Sequence, residues 1–159
     1  MAVSPEQLRG LFRATLDGLS EMLGLLQQES LALSARDDTA LDRIALQKRE
    51  LTPILDRLAA EQGNCLGLAH AGEGIEPYLA RVGAGAAVAE GLRADWRKLL
   101  DLLHACKHQN ELNGAYIGLL RRHVEQALEI LHGPSHSEAT YGPDGAKRRA
   151  AYSRRSYSA

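Results

Sequence analysis

Apolar residues recur along most of this chain at alternating spacings of three and four, the period of an amphipathic helix, and the longest such run is Leu92 to His132. On it Leu92, Trp96, Leu99, Leu103, Cys106, Asn110, Asn113, Ile117, Leu120, Val124, Ala127 and Leu131 fall on one stripe. All are apolar except Asn110 and Asn113, which interrupt the stripe at its middle, with Gly114 and Gly118 just beyond. An amide in a packed seam costs stability unless it is partnered. A polar step there therefore fixes helix register or recognises another chain.

The same period organises the first half. Ser4 and Pro5 read as N-cap and first residue of a helix, followed at seam spacing by Leu8, Phe12, Thr15, Leu19, Met22, Leu26 and Leu33. Leu11, Leu16 and Leu23 widen that face enough to pack against two neighbours. Gly18 and Gly24 weaken this helix modestly, which packing can offset. Arg36-Asp37-Asp38 breaks the pattern, with Asp38 the expected cap of a second helix. Its stripe is Leu41, Ile44, Lys48, Leu51, Leu55, Leu58, Gln62, Cys65 and Ala69. Pro53 interrupts the ladder and predicts a kink, or a restart with Thr52 as cap. Gly72-Glu73-Gly74 is the expected end of that helix.

A short helix, Glu76 to Val82, with Pro77 in its first turn, then precedes Gly83-Ala84-Gly85 and the long helix, Ala86 to His132. At 1.5 Å per residue the latter spans roughly 70 Å, beyond the ~40 Å of a compact globule this size. Gly133-Pro134 stops it. The expected fold is all-α: an elongated antiparallel bundle of three main helices, the last long. The expected division is a helical domain, 1–132, and a flexible basic tail, 133–159, too small and polar in its side chains to order itself.

Composition agrees with a Leu- and Ala-rich helical core: 45% of residues are hydrophobic and only 4% aromatic, with one Phe and one Trp. Cys65 and Cys106 each sit on an apolar stripe, as free thiols acting as small hydrophobes do in a reducing, cytoplasmic setting. No stretch reads as a signal peptide or reaches membrane-spanning length. The net charge of −1 conceals an asymmetry, because Lys147, Arg148, Arg149, Arg154 and Arg155 follow the last acid, Asp144. A tail of this kind can meet nucleic acid or anionic lipid through phosphates, but it reads first as a solvated end. No nucleic-acid partner is expected, and at most a transient contact with a membrane surface.

Catalytic candidates are few. His104 with Lys107 three residues on, on an outer face, is the arrangement of a histidine phosphotransfer domain, yet His108 stands where such domains keep a small residue. His104 and His108, four apart, could share a metal, but no third and fourth ligand lies at suitable spacing. There is no Gly-rich phosphate loop, nucleophile elbow or carboxylate pair. No catalytic residue, metal or cofactor is expected.

Four further elements stand in order: Trp96, then Asn110-Glu111-Leu112-Asn113-Gly114, then Gln126-Ala127-Leu128-Glu129-Ile130-Leu131, then Tyr141-Gly142-Pro143-Asp144-Gly145. In order and spacing they resemble the Trp, N-x-x-N-G, Q-A-L-x-x-L and Y-G-x-D-G elements of the FlgN family of flagellar type III export chaperones. Lys48, Leu51 and Leu55 are similar to that family's K-x-x-L-L segment, with Pro53 a departure. The resemblance implies a cytoplasmic chaperone that binds the C-terminal segments of the flagellar hook–filament junction proteins and delivers them to the export gate. It implies a substrate platform at Asn110, Asn113, Gly114, Ile117, Leu120, Val124, Leu128 and Leu131. Tyr141 would dock on the cytoplasmic domain of the export-gate protein. The residues alone also allow a helical adaptor or coiled-coil subunit using the same face for permanent assembly.

Overall fold

A computed structural model of the chain describes residues 4–67 and 74–132, together with the backbone of 140–141 and 147–148. The fold is all-α: α1 (Pro5–Ala35), α2 (Asp38–Leu66), the short α3 (Glu76–Val82) and α4 (Ala86–His132). Beyond α4, β1 (Thr140–Tyr141) and β2 (Lys147–Arg148) form a two-residue antiparallel pairing, Thr140 opposite Arg148 and Tyr141 opposite Lys147. The chain divides into two compact units, Met1–Ile117 and Gly118–Ala159. The helix packing belongs to the first.

α1 starts where the sequence predicts. The Ser4 hydroxyl accepts from the Gln7 N–H, and the Gln7 side chain accepts from the Ser4 N–H, a reciprocal cap that satisfies donors the helix leaves open. At its far end Arg36 adopts a left-handed conformation, φ 55°, and its N–H returns to the last carbonyls of α1. The turn is so short that Asp37, not the expected Asp38, caps α2, its carboxylate accepting from the Ala40 N–H at 3.0 Å.

α2 is continuous through Pro53, so there is no restart at Thr52. Thr52 is no cap: its hydroxyl donates back to the Lys48 carbonyl at 2.7 Å. Pro53 and Arg49 are both exposed, which leaves the Arg49 carbonyl, deprived of its ladder partner, on the solvent side. α2 also ends earlier than expected, at Leu66, because Gly67 takes the left-handed conformation that terminates helices, φ 66°. Arg81 of α3 then caps the open carbonyls of Cys65 and Leu66 at 3.3 and 3.1 Å. Ala69, Gly72 and Glu73 lie outside the described residues, as does the greater part of the 133–159 tail.

α1 is the centre of the first unit. Leu8, Phe12, Leu19 and Leu26 join Leu66, Tyr78, Leu92 and Leu99 in one buried cluster, while Leu25 and Ala32 join Ile44 and Leu51 in another. Burial of this kind stabilises by about 1.5–3 kcal/mol per large apolar side chain. α2 runs antiparallel to α1, with Gln62 beside Thr15 and Lys48 beside Glu29. α4 runs parallel to α1, with Phe12 against Trp96, Leu19 against Cys106 and Leu26 against Asn113. α3 and its flanking turns make that return possible. Gly18 sits where α2 comes closest: a Cβ there would stand 2.8 Å from Leu55 Cδ2.

Candidate functional site

Thr15, Lys48, Gln62 and Asn113, polar residues on the three apolar stripes, are partnered inside the bundle. The Gln62 amide donates to the Thr15 hydroxyl and to the Leu11 carbonyl, closing α1 on α2. About four turns further along α1, Glu29 gathers all three helices. The Lys48 ammonium lies 3.0 and 2.9 Å from its two oxygens, and the Asn113 amide donates to it at 2.9 Å and to the Leu26 carbonyl at 2.8 Å. Gln109 completes the set by donating to the side-chain oxygen of Asn113 at 3.1 Å. Among the described residues no buried side-chain nitrogen or oxygen is left without a partner. Such a clasp fixes which helices pair and at what register.

The two asparagines therefore part company. Asn113 is 3% exposed and committed within the bundle, whereas Asn110 is exposed. They do not form a single layer. The predicted α4 seam divides in the same way, at alternate members. Leu92, Leu99, Cys106 and Asn113, seven apart, face α1 and are buried. Leu103, Asn110 and Ile117, also seven apart, are turned outward from that contact, with Leu103 51% and Ile117 47% exposed. Trp96 is half-buried against Phe12.

Beside this outer row the first unit holds an open apolar groove of about 370 Å3. Its floor is Thr15, Leu19 and Met22 of α1. One wall is Thr52, Leu55, Asp56 and Ala59 of α2, and the other is Trp96, Leu99, Leu100 and Leu103 of α4. Cys106 lies at its base, its thiol directed to the Leu19 carbonyl at 3.4 Å and pushed above an ordinary thiol's pKa by burial. α2 and α4 each pack on α1 and leave this trough between them.

The remaining candidates are placed as follows. Gly114 is exposed and Leu120 half-buried, both on α4. In the second unit Val124 is 59% and Leu131 80% exposed, and Leu128 is exposed as well. Leu119 and Ile130, which the single-seam reading did not include, are exposed beside them. Tyr141 belongs to β1, and its side chain lies outside the described residues. His104 and His108 are exposed on α4. No group of three residues suited to hold a metal ion stands together among the described residues, and none of their helices is long and apolar enough to cross a membrane. Glu29 and the groove were missed from sequence. Glu29 carries a signal all the same, since it falls between Leu26 and Leu33 at seam spacing, a charge on an apolar stripe.

Comparison with known proteins agrees with the motifs. The flagella synthesis protein FlgN of Proteus mirabilis is 28% identical over 152 residues, an alignment covering 91% of this chain and 92% of that protein. No solved structure matches the chain significantly. The family model described as FlgN protein matches residues 1–149. With nearly its whole length matched, the chain belongs to the FlgN family.

Proposed function

We propose that this protein is a cytoplasmic, non-enzymatic export chaperone. It holds the C-terminal segments of flagellar hook–filament junction proteins on α4 and delivers them to the type III export gate. The observation that carries the reading is the exposure of large apolar side chains along a well-formed helix: Ile117, Val124 and Leu131, at seven-residue spacing, all stand open to solvent. Scattered exposed leucines mean little, but a periodic row of them on one helix marks a surface that another chain covers. Family membership and the flagellar name of the Proteus mirabilis relative support the same role.

The platform is Asn110, Gly114, Ile117, Leu120, Val124, Leu128 and Leu131, with Asn113 contributing by fixing α4 against Glu29 rather than by contact. A junction-protein segment that is unstructured before assembly folds as an amphipathic helix onto this row. Ordering that segment offsets part of the burial gain, which suits a cargo that must later be released. Tyr141 serves the second partner, the cytoplasmic domain of the export-gate protein, so cargo and gate are held by different parts of the chain. Co-purification of the full chain with a junction-protein C-terminal segment tests the reading. A discrete complex supports it. A protein that forms a fixed oligomer alone and ignores the segment is an assembly adaptor instead.

A further inference from the structure

The basic residues that follow Asp144 have no part in the platform, and two of them, Lys147 and Arg148, form β2. β1 and β2 both belong to the second unit. Their register sets Tyr141 opposite Lys147 and Thr140 opposite Arg148. Residues directly opposite in an antiparallel pair share a face, about 4.5–5.5 Å apart at Cβ, and successive residues on a strand alternate faces. One face of the pairing therefore carries Tyr141 with Lys147, and the other carries Thr140 with Arg148. Between the strands stand Pro143, Asp144 and Gly145, residue types that reverse a chain: proline presets φ, aspartate bonds its own backbone and glycine accepts positive φ.

We propose that the docking element for the export gate is this strand pair, which offers an aromatic residue and a cation, Tyr141 and Lys147, on one face. Its receptor on the gate's cytoplasmic domain is an apolar recess rimmed by carboxylates. The proposal rests on the reading that Tyr141 meets the gate, and it adds the charge that the receptor must carry. Charge complementarity fixes the sign: Lys147, Arg148, Arg149, Arg154 and Arg155 follow Asp144 with no further acid, so an acidic surface attracts this end of the chain and a basic one repels it. Register fixes which cation counts. A surface that receives Tyr141 meets Lys147 within the same contact, whereas Arg148, its neighbour in sequence, belongs to the opposite face. In the Y-G-x-D-G motif the residues after the tyrosine then serve to turn the chain and bring Lys147 back to it, not to touch the gate. A pairing this short is marginal by itself, so contact with the receptor consolidates it.

The affinity of the full chain for the purified cytoplasmic domain of the export-gate protein is measured for single variants at low and high salt. Lys147→Glu replaces attraction by repulsion and is expected to weaken binding at least tenfold at low salt, with a smaller loss at high salt. Arg148→Glu, the same change of charge on the other face, is expected to cost less than twofold. Tyr141→Ala tests the underlying reading separately. If the wild-type chain ignores the domain, or Tyr141→Ala binds it as the wild type does, the gate reading falls and the proposal with it. If Tyr141→Ala loses binding while Lys147→Glu costs nothing, Tyr141 docks without a paired cation and the proposal alone is wrong. If Arg148→Glu costs as much as Lys147→Glu, the basic end acts as a diffuse charge, which also overturns it. The same variants are floated with phosphatidylglycerol vesicles. Loss of flotation in Lys147→Glu with unchanged affinity for the gate domain assigns Lys147 to a lipid surface and contradicts the proposal.

Discussion

Glu29 accepts from Lys48 and Asn113 at once, so its carboxylate joins all three long helices. Removing it strands an ammonium and an amide that are largely shielded from water. Glu29→Ala is expected to cost about 1–3 kcal/mol in urea unfolding, the range for a buried group left unsatisfied. A loss under ~0.5 kcal/mol, the range of ordinary surface changes, would mean the clasp is ornamental. Cys106 provides a pH prediction. Its thiol pKa is raised by burial, so the folded state holds the proton more tightly than the unfolded chain. That contribution is intact below the free thiol's value of about 8.5, and stability falls as pH rises through and beyond it. Cys106→Ser, whose hydroxyl can still donate to the Leu19 carbonyl, should flatten part of that alkaline fall. Cys65, raised by burial and by Glu61, and Tyr78, raised by burial, contribute to the same fall. These residue-level features were half legible. Thr15, Lys48, Gln62 and Asn113 stand out in sequence as polar members of apolar stripes, but a stripe cannot say which exception meets which. That requires the direction in which each helix runs.

At the scale of elements, α1, α3 and α4 begin and end where periodicity, Pro5, Pro77 and the Gly83 to Gly85 turn place them. The departures are at α2. Its cap moved to Asp37 because a left-handed Arg36 shortens the turn, and its end moved to Gly67 because one glycine with Arg81 behind it suffices to stop a helix. In sequence the seam of α4 is one stripe, since three- and four-residue steps cannot separate positions facing α1 from those turned to the groove. Only packing splits it. This split gives the next prediction. Ile117→Asp keeps the fold, its side chain being nearly half exposed in the free protein, and Ile117→Asp and Leu120→Asp each abolish peptide binding, because a charge would be buried unpaired in the apolar contact. Circular dichroism with a binding isotherm checks this, and two folded variants with normal affinity would move the platform elsewhere.

At the scale of the whole molecule, holding cargo and meeting the gate are assigned to separate stretches. Tyr141→Ala is expected to leave peptide affinity unchanged while lowering secretion of the junction proteins from cells. Loss of peptide binding in that variant would contradict the separation. Membership of the FlgN family was legible from four short motifs in order, because each motif keeps its residue types at fixed spacing whatever the packing around it. The groove was not legible, since it is made by helices distant in sequence that both lean on α1. The measurement that tests the central claim most directly is calorimetric titration of the full chain with a junction-protein C-terminal segment, with helicity followed in parallel. The account predicts a discrete complex, helicity above the sum of the two components, a negative heat-capacity change from apolar burial, and loss of all three in Val124→Asp. A segment that does not bind, or binds Val124→Asp as tightly as the wild type, contradicts it.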